Sequence, residues 1–151
     1  MVVRVIALED IEAARGRVAG LVHRTPLVRS STLSEAAGTN VYLKLELFQK
    51  TGSFKPRGAF NQLRVLMDES GADRFVGVSG GNFAQGLAYA GSVLGVSTTV
   101  VMPATTPANY VEATRGYGGA VEFVDDIAAA IDRSHELGLA GATIAHPFDH
   151  P

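Results

Sequence analysis

The sequence predicts an α/β fold, an open parallel sheet with helices on both faces, and three observations carry that prediction. Short β-type runs recur every 22 or 23 residues from Phe75 onward. Each interval between them holds a helix-sized segment, the spacing of βαβ crossovers. The chain has 151 residues, 46% hydrophobic, and 17 glycines without a low-complexity tract. A chain of that length buries about 68–70% of the surface that its unfolded form exposes, enough for one domain.

The elements follow in order. Residues 8–21 are expected to be helical, with Glu9 and Asp10 in the first turn and Ile11, Ala14, Val18 and Leu21 near helical spacing. Thr25-Pro26 breaks that helix, and residues 31–37 allow a short one ending at Gly38. Residues 41–46 alternate apolar and polar side chains, as a half-buried strand does. Residues 49–53 read as a polar turn, and residues 57–67 as a helix with Phe60, Leu63, Leu66 and Met67 on one face. Strands are then expected at 75–78, 98–102, 120–124 and 142–145. Helices are expected between them at 84–94, 107–117 and 127–137. Thr105-Thr106-Pro107 reads as a loop and helix start.

Composition excludes several function classes. No cysteine means no disulfide, thiolate zinc site or cysteine nucleophile. A net charge of −2 with no long basic run argues against nucleic acid and anionic membranes as partners. No apolar stretch approaches the roughly 18 residues that span a bilayer, and Met1-Val-Val-Arg4 opens no secretory signal. A soluble cytoplasmic protein is expected. His146 and His150 stand four apart with Asp149 between them, but Pro147 forbids a regular helix there and no third ligand is evident. No metal is expected, and His23 and His135 read as surface residues.

Neither phosphate-loop signature nor a G-x-S-x-G elbow is present. Two segments remain. Lys55 sits where a helix begins, beside Pro56 and after a Gly-Ser turn. The helix dipole disfavours an ammonium there by about 0.3–1 kcal/mol. A surface lysine is the ordinary reading. A nucleophilic lysine must instead lose its proton, which costs about 4.6 kcal/mol at pH 7 for an ordinary lysine and demands burial or covalent capture. The second segment is Ser79-Gly80-Gly81-Asn82-Phe83, between a strand and a helix. Its glycines permit close backbone approach, and the helix start offers N–H groups to an anion. An ordinary turn with Asn82 as N-cap fits the segment equally well.

Together these segments resemble the pyridoxal-phosphate enzymes of the tryptophan-synthase-like fold, fold type II, and within it the threonine/serine dehydratase and serine racemase group. The resemblance rests on Arg24-Thr-Pro-Leu27, Lys44-Leu-Glu46, Thr51-Gly-Ser-Phe-Lys-Pro-Arg-Gly-Ala59, Ser79-Gly-Gly-Asn82 through Gln85-Gly86, Met102-Pro103, Ala113-Thr-Arg-Gly-Tyr-Gly118 and His146-Pro-Phe-Asp149, in that order. It implies that Lys55 holds pyridoxal 5'-phosphate covalently and then acts as base at the substrate Cα. It implies that Phe54 packs beside the ring and that Asn82 bonds its 3′-oxygen. Ser79 and the N–H groups of Gly80, Gly81, Asn82 and Phe83 would hold the carboxylate of a small amino acid, with Gln85 nearby. Loss of the β-hydroxyl would lead to a 2-keto acid and ammonia, in a homo-oligomeric enzyme.

Departures from the group's pattern sharpen the expectation. Phe83 replaces a usual histidine, Leu47 a usual asparagine and Tyr110 a usual lysine. Racemases carry a serine where Gly80 stands, as a second acid/base; Gly80 has no proton to give, which favours elimination. The family's glycine-rich phosphate loop follows His146-Pro-Phe-Asp149, so the sequence is expected to be the N-terminal half of such an enzyme. Residues 1–50 would then pack on a larger domain, exposing Ile11, Val18, Leu21 and Val41, while residues 51–151 form the small α/β domain. The competing expectations are a non-catalytic, self-associating fragment and an amino-acid racemase.

Overall fold

The structure is a computed structural model and describes residues 6–148. Its centre is a four-stranded, wholly parallel sheet of β3 (Arg74–Val78), β4 (Ser97–Pro103), β5 (Ala120–Val124) and β6 (Thr143–Ile144), ordered β5-β4-β3-β6. Side-chain alternation divides this sheet into two faces. On one, Phe75, Val100 and Met102 pack with Ala59, Phe60 and Leu63 of α3 (Lys55–Ser70). Phe83, Ala84 and Leu87 of α4 (Asn82–Leu94) and Val111 of α5 (Ala108–Gly116) complete that core. On the other face Val76 and Val101 meet Ala130 of α6 (Ile127–Leu139). Helices on both faces of a parallel sheet are the architecture that the strand spacing predicts.

The chain steps from β3 through β4 to β5 with α4 and α5 on one face, then returns beneath α6 to place β6 beside β3. Reversing direction and face together keeps the crossovers of one hand. It also creates a topological switch between β3 and β6, where the loops leaving the two strands diverge and open a crevice.

Before this sheet lie α1 (Leu8–Arg17) and a two-stranded antiparallel sheet of β1 (Leu27–Arg29) and β2 (Tyr42–Lys44), framing α2 (Ser31–Ala37). The α2 boundaries match the sequence reading because its signals are local. Ser30 caps Leu33 N–H at 3.3 Å, and Gly38 takes φ 64° at the C-terminus. Elsewhere the structure corrects that reading. The first helix ends at Arg17 and the chain turns through Gly20, φ 77°, so Val18 and Leu21 are not exposed but pack against the α3–α4 core. Ile11 is exposed as expected, and Val41 is half-buried. β1 carries no alternation, all three residues being exposed, which left the sequence without a signal for it. The expected strand at 41–46 stops at Lys44 and gives way to a 3₁₀ turn, Glu46–Phe48. Among the described residues no helix is long and apolar enough to cross a membrane.

Candidate active site

The start of α3 is fixed from several directions. Gln49, buried, accepts from His23 N–H at 2.8 Å and donates to His23 O at 3.0 Å. Gly52 then takes φ 69°, a conformation that glycine alone adopts without strain. Lys55 is the first residue of α3, at the helix start the sequence marks, and Pro56 its second, with Phe54 as N-cap; the periodic run read from 57 extends two residues further back. In its first turn Arg57 grips Glu46 through both oxygens, Nε to Oε2 at 2.9 Å and NH2 to Oε1 at 2.8 Å, and also donates to His23 O at 2.9 Å. Thr25 Oγ1 donates to Glu46 Oε1 at 2.6 Å, and Lys44 Nζ to Thr25 O at 2.7 Å. The Arg57 guanidinium, outweighing the opposing effect of burial and aided by the Thr25 hydroxyl, holds the Glu46 carboxyl below its ordinary pKa. Thr25, Lys44 and Glu46, seen in the sequence only as motif letters, thus form a clamp on the turn that carries Lys55.

The loop after β3 is the second half. Ser79 N–H extends the strand to Val101 O at 3.2 Å, and Ser79 Oγ accepts from Gly81 N–H at 3.1 Å. The Gly81 N–H is thus bonded within the loop. Those of Gly80, Asn82 and Phe83 carry no hydrogen bond within the described residues. The alternative with Asn82 as N-cap is set aside: Gly81 is the N-cap, and the exposed Asn82 carboxamide caps nothing. The Phe83 side chain, 6% exposed, lies in the core beside Leu87, and Gln85 is half-buried one turn along α4.

One contact joins the halves. A Cβ at Gly86 of α4 would stand 3.1 Å from Lys55 C, 3.1 Å from Lys55 Cβ and 3.2 Å from Pro56 N. Any side chain at Gly86 would force the start of α3 to give by a few tenths of an ångström. The half-buried Lys55 therefore points its Nζ to 5.8 Å from the Phe83 ring centre, 5.2 Å from that of Phe54 and 4.8 Å from that of Phe148. Phe148 follows β6, whose exit is held to α3 by Gln62 Nε2 donating to His146 O at 3.1 Å. The amine, the unpaired N–H groups and the segment after β6 thus gather at the switch between β3 and β6. A cleft of about 320 Å³ against α6 is lined by Val78, Ile127, Ile131 and residues 144–148, so that it meets this site through the segment after β6.

Among the described residues no cluster of histidine and carboxylates could hold a metal, and His150 and Asp149 lie outside them. His23 and His135 are exposed, as expected. What the described residues of the site offer is a lysine ringed by phenyl groups, a carboxamide with no partner, and three unspent N–H groups at a helix start. That set fits an aldehyde-bearing aromatic cofactor and an anionic substrate group.

Comparison with known proteins bears on the same residues. The family model described as "Pyridoxal-phosphate dependent enzyme" matches residues 18–151. The L-threonine ammonia-lyase of Thermotoga maritima is 42% identical over 97% of the chain, which spans 37% of that protein. Among solved structures, the serine racemase of Dictyostelium discoideum superposes with a TM-score of 0.85 at 37% identity, over 96% of this chain and 48% of that one. A threonine deaminase from T.th. gives 0.82 at 40%, over 97% and 46%. The chain spans less than half the length of each of these relatives. A family match reaching from the turn after α1 through both halves of the site identifies the chain as a member of the pyridoxal-phosphate-dependent enzymes of fold type II, with pyridoxal phosphate as its cofactor.

Proposed function

We propose that the chain supplies the amine and the carboxylate-binding loop of a dehydratase that converts threonine or serine to a 2-keto acid and ammonia. The observation that carries this reading is the approach of Lys55 to the open start of α4, permitted at Gly86. The names of the relatives, an ammonia-lyase and a deaminase of threonine, support the substrate class. When bound, pyridoxal phosphate supplies an electron-withdrawing ring that makes the substrate Cα–H acidic. In this reading Lys55 Nζ would hold the cofactor, and once free of it would take the substrate Cα proton. The N–H groups of Gly80, Asn82 and Phe83, with Ser79 and Gln85, orient the carboxylate at the positive end of α4. The Asn82 carboxamide would donate to the ring oxygen, and Phe54 would pack beside the ring. The β-hydroxyl would leave as water, taking up the proton that Lys55 Nζ removed from Cα, and water adding to the released enamine as its imine tautomer would give the keto acid and ammonia. A racemase needs a second proton carrier, and Gly80 offers none.

The same reading assigns residues 1–50 to a segment that packs on a further domain, and residues 51–151 to the small α/β domain. Leu27, Val28, Tyr42 and Leu43 of the antiparallel pair and Leu47 and Phe48 of the 3₁₀ turn are all exposed, more apolar surface than so small a unit carries into water by itself. It also makes the protein a cytoplasmic metabolic enzyme, homo-oligomeric, with no nucleic-acid partner.

Borohydride reduction of the cofactor-loaded protein, followed by peptide mass spectrometry, is expected to find the adduct on Lys55. Lys55→Ala is expected to abolish both the adduct and keto-acid release from L-threonine. An adduct on Lys44 or Lys50, or undiminished keto acid from the variant, contradicts the proposal.

A further inference from the structure

Gly80 takes no positive φ, so backbone freedom does not explain a glycine there. Its surroundings do. A Cβ built on Gly80 would lie 2.8 Å from Thr106 Oγ1, against 3.5 Å from Thr106 Cγ2 and 3.6 Å from Thr106 Cβ. The hydroxyl, not the methyl, is therefore the part of Thr106 turned toward the loop. Thr106 belongs to the turn between β4 and α5, which its own N–H closes on Pro103 O at 2.9 Å. β4 is the parallel neighbour of β3, so both turns stand at the same carboxyl edge of the sheet. Thr106 is half-buried, and its hydroxyl has no hydrogen-bond partner among the described residues. The adjoining N–H of Gly80 is unpaired there as well.

An unspent hydroxyl packed against the loop with unspent N–H groups is arranged as one more donor to the same ligand. We infer that Thr106 is a substrate-binding residue whose Oγ1–H donates to the carboxylate of the bound amino acid. The turn after β4 thereby fills the place left by the missing side chain at Gly80. This inference rests on the dehydratase reading of the site. It makes Gly80 and Thr106 a matched pair: a Cβ at Gly80 requires the Thr106 hydroxyl to shift.

Two measurements test it. In the chain without cofactor, Gly80→Ala is expected to lower the denaturation midpoint beside Thr106 and to do so much less in a Thr106→Ala background. Additive effects overturn the juxtaposition. In the cofactor-loaded protein, Thr106→Val is expected to weaken L-threonine binding about ten-fold, the lower end for a hydrogen bond to a charged group, with kcat changed far less than KM. Thr106→Ser is expected to restore most of that binding, and L-threoninamide, which lacks the carboxylate, to bind both proteins alike. Wild-type binding by Thr106→Val, or equal impairment in Thr106→Ser, overturns the assignment. So does formation of D-allo-threonine, the Cα epimer of L-threonine, that Thr106→Val abolishes, which would make the hydroxyl a proton carrier. A wild-type protein that takes up no cofactor at Lys55 defeats the dehydratase reading and this assignment together. Normal uptake with an unmoved Thr106→Val defeats the assignment alone.

Discussion

Replacing Gly86 by alanine sets two effects of known size against each other. In a helix interior alanine is favoured over glycine by about 1 kcal/mol. At Gly86 the new methyl would meet Lys55 C and Cβ at 3.1 Å and Pro56 N at 3.2 Å, closer than ordinary van der Waals contact. Two of the three are backbone atoms of a turn that Arg57 and Glu46 hold in place, so they yield poorly. Overpacking of this kind costs about 1–3 kcal/mol. The net expectation for Gly86→Ala is a loss of about 0–2 kcal/mol. Gly58, on the exposed side of α3, provides the control: nothing lies within 4 Å of its Cβ position. Gly58→Ala should therefore keep the helix gain of about 0.5–1 kcal/mol. Urea unfolding at neutral pH, with equal m values, reads the contrast directly as opposite shifts of the midpoint. A Gly86→Ala protein as stable as Gly58→Ala would refute the claim that α3 is seated on α4 through this glycine.

Two further outcomes follow from the packing and the clamp. Glu46 has a lower pKa folded than unfolded, so its contribution to stability is complete above the ordinary value of 4.5 and fades as pH falls through the lower folded value. Glu46→Gln should cost about 1–3 kcal/mol near neutrality and flatten the acid limb of a midpoint-versus-pH curve; an unchanged limb would show that the clamp carries no linkage. Gly77→Ala should cost about 1–3 kcal/mol by thermal or urea unfolding, because its Cβ would press on Leu87 Cδ2 at 2.6 Å and Phe83 Cε1 at 3.2 Å. A stabilised Gly77→Ala protein would mean that β3 and α4 are packed more loosely than described.

The parallel sheet was legible because its strands are apolar runs and its helices fill regular intervals, both local properties. β1 was not, since three exposed residues show no pattern until β2 pairs with them. Lys55 and the Ser79–Phe83 loop stood out by residue type, but their meeting depends on Gly86, whose role is visible only when α3 lies against it. The clamp escaped notice for a similar reason: Thr25 and Arg57 are 32 residues apart and both converge on Glu46. Asn82 as cap was a fair local inference, overturned because Gly81 occupies the cap position and leaves the carboxamide outward.

The Gly86 contact has a mechanical meaning. The helix that presents the open N–H groups also bears the surface against which the amine is seated, so one rigid body sets both coordinates. If α4 tilts or slides against the sheet, the amine and the open N–H groups travel together and their spacing is conserved. Strain arriving from elsewhere in the protein would move this pair as a unit, and the glycine acts as the zero mark of its ruler.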